Sequence, residues 1–127
     1  MISKRRCFQP RTAEASPTYH PWGATASKDH TLRQGCHDYR YRYRITAPTD
    51  DWSAEMTILR PNGGTLASNY ILSESDPAKG YLKLRVCRPT TTYGKHKIKM
   101  KVTWQDDRRT VSGFVKPSTF RFKRPAR

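Results

Sequence analysis

Arginine recurs at every second position in "DYRYRYRI", residues 38–45, where Arg40, Arg42 and Arg44 alternate with Tyr39, Tyr41 and Tyr43, and lysine does the same at Lys97, Lys99 and Lys101. On a β-strand each such row shares one face at a step of about 6.8 Å, a scale comparable to that on which charges recur along a phosphate polymer. Rows of this kind neutralise polyanions such as nucleic acid, acidic polysaccharide or an anionic cell-wall polymer. With no ligand at all, they also keep a solvent face or an edge strand soluble. Strand-built nucleic-acid binders set aromatics beside their cations so that bases can stack. Here the tyrosines fall on the face opposite the arginines. If the tyrosines are core, the arginine face is expected to lack a stacking platform and to bind by charge alone. If they face outward, as in an open barrel of the oligonucleotide-binding type, they are themselves the platform.

Other residues able to do chemistry are sparse. The chain carries no G-x-S-x-G elbow, phosphate-binding loop, H-E-x-x-H helix or paired catalytic glutamates, so neither enzyme activity nor a cofactor is expected. Zinc takes four ligands at suitable spacing, whereas Cys36 and His37 are one adjacent pair and His20, His30 and His96 are scattered and read as solvated surface residues. Asp50–Asp51 and Asp106–Asp107 read as turn formers that offset local positive charge, in preference to calcium ligands.

Three cysteines leave a pairing question. Cys36 and Cys87 each sit at the boundary of a predicted strand, and Cys7 lies near the N-terminus. A Cys36–Cys87 bond would close a loop of about 50 residues and stabilise the fold by about 4 kcal/mol in the chain-entropy account. The competing reading is two buried thiols in a reducing compartment.

The elements that must position these residues follow from alternation. At 127 residues the chain has room for one compact domain with an appendage. From residue 37 onward nearly every stretch reads with period 2, and none reads as an amphipathic helix. Strands are predicted over residues 37–46, 52–58, 65–72, 81–87, 96–104, 111–115 and 119–123. Between them lie turn-forming segments such as "RPNGG" at 60–64, whose Asn62-Gly63 pair suits a hairpin. The predicted core contains Tyr41, Trp52, Met56, Ile58, Leu84, Ile98, Met100, Val102 and Phe120. An all-β, antiparallel, immunoglobulin-like sandwich of about seven strands is therefore expected over residues 35–123, with a flexible basic N-terminal arm at 1–34 and a basic tail at 124–127. On two strands the cysteines break parity: inward residues are odd on the tyrosine strand and even on the strand ending at Cys87. A bond between them should clip strand ends and leave the centre of the core unpinned.

Charge bounds the partners. Lys+Arg 25 against Asp+Glu 10 gives a formal +15, and only four of those cations and one carboxylate lie in residues 1–27, which leaves +12 on the remainder. A folded domain so charged attracts anionic surfaces and polymers, and a protein partner in an assembly is a further candidate. No run approaches the roughly 18 apolar residues of a membrane span. Met1–Arg6 has the charge of a signal-peptide n-region, but "CFQPRTAEASPTYHPWG" follows with three prolines, so no apolar h-region is read there.

The segments "GCHDYRYRYRI", "LRPNGG", "SDPAKGYLKLRVC", "YGKHKIKMKVTW" and "STFRFKRP" together resemble the small secreted β-sandwich domains of actinobacteria. The resemblance covers roughly residues 35–125. It implies an exported, disulfide-clipped, immunoglobulin-like domain that is not an enzyme, with an extracellular location. Similar sandwiches decorate bacteriophage virions, which gives the alternative location. Mass spectrometry under non-reducing conditions is expected to find one intramolecular bond, Cys36–Cys87, and one alkylatable thiol, Cys7. Two reactive domain thiols in the oxidised native protein would refute the pairing.

Overall fold

The structure, a computed structural model, describes residues 18–126. In the strand Cys36–Ile45 the tyrosines and Ile45 are buried while the arginines between them are exposed. Successive side chains on a strand point to opposite faces, and burial of apolar area decides which face turns inward. The described residues form nine strands, numbered in chain order: β1 (Gly23–Ala26), β2 (His30–Thr31), β3 (Cys36–Ile45), β4 (Trp52–Leu59), β5 (Thr65–Leu72), β6 (Lys79–Cys87), β7 (Gly94–Gln105), β8 (Thr110–Phe114) and β9 (Ser118–Lys123). A short 3-10 turn, Arg88–Thr90, follows β6.

Two sheets pack face to face. One has the order β1-β3-β6 and the other β2-β9-β7-β4-β5, with β8 also pairing β7. β9 takes the first half of β7 and β8 the second, so the two share one side of β7 and are interrupted around Pro117. Proline has no N–H to give to a ladder; the bond from Val115 N to Met100 O, 3.0 Å, carries the pairing up to the break. Every neighbour is antiparallel except β2 and β9, which run parallel. The chain therefore changes sheets early, pairing as β1 with β3 and, after residues 27–29, as β2 with β9. Strands 1, 3 and 6 facing strands 4, 5, 7, 8 and 9 form an immunoglobulin-like sandwich.

The predicted core residues all lie in one buried cluster, joined by Trp22 and Leu32. Those two correct the expected arm over residues 1–34: residues 18–34 belong to the sandwich, where β1 adds to β3 and Leu32 N donates to Lys123 O at 2.9 Å. "GATA" is four small residues without apolar alternation, so only its ladder and the flanking anchors reveal it. The first 17 residues, Cys7 included, lie outside the described residues. The hairpin at "RPNGG" closes through Gly63 N to Arg60 O, 2.9 Å, with Gly63 at φ 92°, the left-handed position that glycine fills without steric cost.

Cys36 and Cys87 are disulfide-bonded and directly opposite in the β3–β6 ladder. The bond joins the ends of neighbouring strands within one sheet, on its outward face, as their parity predicts. Buried tyrosines need partners for their hydroxyls, and all three on β3 have one. Arg33 N donates to Tyr39 Oη at 3.1 Å, Tyr41 donates to Asn69 Oδ1 at 2.5 Å, and Tyr43 donates to Pro77 O at 2.7 Å. Burial pushes the Tyr41 phenol well above its ordinary range, so it remains a donor.

His96 overturns its expected place on the surface. It is fully buried, sharing the inward parity of Ile98, and its ring stacks on Phe120 with centroids 5.5 Å apart. Nδ1–H donates to Gly94 O at 3.0 Å, which leaves Nε2 to accept from the Thr91 hydroxyl at 2.7 Å. Burial lowers the pKa of the ring below its ordinary 6.5, and it is this favoured neutral form that donates from Nδ1 and accepts at Nε2.

Two outcomes follow for stability. In urea denaturation, Tyr41→Phe is expected to cost about 1 kcal/mol for the lost hydrogen bond, and Tyr41→Ala about 3–5 kcal/mol as a truncated buried aromatic. His96 binds its proton less readily folded than unfolded, so its contribution is full above about pH 6.5 and is lost as pH falls through the lowered folded value. The urea midpoint should drop between pH 7 and pH 5 in the native protein and drop less in His96→Gln.

Candidate polyanion-binding face

Two strands with the same alternation build one charged face. On β3, Asp38, Arg40, Arg42 and Arg44 point outward; on β6, Lys79, Tyr81, Lys83 and Arg85 do so while Leu84 and Val86 are buried. The ladder places Arg44 opposite Lys79, Arg42 opposite Tyr81, Arg40 opposite Lys83 and Asp38 opposite Arg85. Only the last pair is a salt bridge, at 3.2 Å. Two like-charged pairs thus face each other across the strands, an arrangement that destabilises a sheet. Among the described residues, Arg40, Arg42, Arg44, Lys79 and Lys83 have no carboxylate within salt-bridge distance.

Tyr81 corrects the expectation that the arginine face lacks an aromatic platform. It is 56% exposed in the middle of the cations, with the Arg40 guanidinium 4.4 Å from its ring centroid. The expectation concerned the tyrosines of β3, which do face inward; the platform comes from the neighbouring strand. Its signal was present in "KGYLKLRVC", where Lys79, Tyr81, Lys83 and Arg85 hold every second position. That β6 lies beside β3 is a non-local fact that this pattern does not contain.

The sheet change between β1 and β2 shapes the ground next to this face. Because β1 pairs only with Arg42–Ile45, the segment Asp38–Tyr41 has no strand on that side among the described residues. The gap is bridged at one point, where His30 Nε2 lies 3.0 Å from Arg40 O. A groove of about 690 Å³ opens there, lined among others by Lys28, His30, Arg40, Arg42 and Tyr81. It shares Lys28, His30 and Tyr39 with a hollow toward Arg33, and Arg42 and Tyr81 with another toward Arg44 and Lys79. Together they make a trough along β3 that holds Asp29 and Asp38 at its Arg33 end and only cations among its charged residues toward Arg44 and Lys79. His30 in its wall is half-buried and its pKa is lowered, mainly by burial.

The lysine row lies elsewhere. Lys97, Lys99 and Lys101 project from β7, in the other sheet, so the two predicted rows occupy opposite outer faces of the sandwich and do not converge. Lys101 is opposite Glu55, and Lys99 Nζ sits 4.9 Å from the Phe114 ring, which leaves Lys97 the most open of the three. Of the predicted turn aspartates, Asp106 accepts from Arg108 N and Arg109 N, and Asp51 accepts from Gln105 Nε2 at 2.6 Å. His20, expected in solvent, stacks on Trp22 at 4.0 Å over Gly113. A side chain at Gly113 would collide with both rings.

No known protein family, curated protein or solved structure matches this chain.

Since the arginines repel their neighbours and bury little, replacing Arg40, Arg42 and Arg44 together with Ser is expected to leave the fold intact, each change costing within about 0.5 kcal/mol. At low ionic strength the melting temperature should hold or rise, because screening no longer hides the relieved repulsion.

Proposed function

We propose that this chain is a non-enzymatic β-sandwich module whose β1-β3-β6 face binds an extended polyanion, serving as a structural or adhesive component of an exported or virion surface. The observation that carries the reading is the cluster of cations, Arg40, Arg42, Arg44, Lys79 and Lys83, with no carboxylate within salt-bridge distance among the described residues, along a trough beside β3. A sheet that sets like charges against one another gains stability when an anionic polymer neutralises them. Arginine is the fitting cation, since its planar fork engages phosphate, sulfate or carboxylate through two hydrogen bonds. The disulfide supports an oxidising location, where such bonds persist, and no helix among the described residues is long and apolar enough to cross a membrane. His96 is held at both ring nitrogens and is committed to the fold.

The test is binding to duplex DNA and to heparin across a salt series. Affinity for both should fall steeply with salt, and the Arg40, Arg42, Arg44 triple serine variant should bind both more weakly. Its log–log slope should be shallower by about 2 to 3, near one unit per lost contact. Unchanged affinity and slope in that variant would locate any binding away from this face.

A further inference from the structure

We propose, building on the polyanion-binding reading above, that the polymer held along β3 is a single-stranded nucleic acid, with phosphates on Arg40, Arg42 and Arg44 and a base stacked on Tyr81. Charge alone does not distinguish this face from the lysine row on the opposite sheet, where Phe114 is likewise exposed against Lys99; three features taken together do. The first is the aromatic. Tyr81 is the one large ring exposed among these cations, directly opposite Arg42 and beneath Arg40. A guanidinium packed over a tyrosine orients the ring and adds a second planar group on which a base can stack.

The second feature is geometry. Arg40, Arg42 and Arg44 step along β3 by about 6.8 Å, and Tyr81 stands one strand away, at about 4.8 Å. A stretched single strand has the matching layout, with phosphates along one line and bases displaced to one side. Duplex DNA does not, because its bases are already paired and stacked and its surface toward a protein is sugar and phosphate. The third is the trough itself, which runs the length of β3, walled by residues of β1, the 27–30 segment and β6, from Arg33 and Lys28 to Arg44 and Lys79. A cationic groove that tracks one backbone, with an aromatic beside it, is how sequence-tolerant single-strand binding works.

Fluorescence anisotropy with a labelled oligothymidylate, the matching duplex and heparin as three separate ligands tests this on the full chain. Tyr81→Ala is expected to weaken the single strand about ten- to a hundred-fold while leaving duplex and heparin within about two-fold, and Tyr81→Phe to retain single-strand binding. Tyr81 is exposed, so an unchanged melting temperature confirms that the variant is folded. If Tyr81→Ala weakens heparin as much as the oligonucleotide, the ring stacks on sugars and an acidic polysaccharide replaces the single strand. If no ligand responds to Tyr81→Ala while the triple arginine variant loses all three, the face binds by charge only: this inference falls and the polyanion reading stands. If the triple variant binds all three as the native protein does, the polyanion reading itself fails.

Discussion

Three tyrosines in a row on β3 must be buried with their hydroxyls satisfied, and most of the molecule is arranged around that requirement. A buried phenol without a partner loses the hydrogen bonds it made in water, at a cost comparable to the gain from burying part of its ring. Each hydroxyl here reaches a different segment: Arg33 in the stretch after β2, Asn69 on β5 in the facing sheet, and Pro77 in the loop before β6. The rings fill the core and the hydroxyls tie β3 to its surroundings at three points. With the odd positions so committed, the even ones have only the outward face left, and the arginines occupy it.

That outward face is where the fold and the proposed function pull in opposite directions. Placing Arg44 against Lys79 and Arg40 against Lys83 costs stability. The core beneath, with Tyr41, Leu84 and Val86 buried, together with the clip between Cys36 and Cys87, holds the strands together despite it. The disulfide is well placed for this, since it locks the end of the β3–β6 pair next to the bridged Asp38–Arg85 step. A surface kept cationic at a cost in stability, beside a trough opened by the early sheet change, is the physical basis for assigning it a role in binding.

Parity was the readable quantity. Alternation marked the seven longer strands and the buried residues on them, and it placed both cysteines off the apolar register, where the structure has them. It also contained the burial of His96, two positions before Ile98; residue type obscured this, because histidine is usually solvated and its hydrogen-bond partners, Thr91 and Gly94, lie where the chain enters β7. β1 and β2 were not readable. "GATA" and "HT" are too short and too weakly apolar to show a period, and they are strands only because β3 and β9 offer open edges.

The sequence by itself thus determined which face of each long strand is wet, because side-chain direction along a strand is local and repeats every two residues. Which strands become neighbours was decided by tertiary structure alone. Tyr81 becomes a platform among arginines only because β6 pairs with β3 across about forty residues of intervening chain, and the two cation rows part company because β3 and β7 enter different sheets. Pairing partners are chosen by how all the buried faces close over one core. No period in a single strand carries that information.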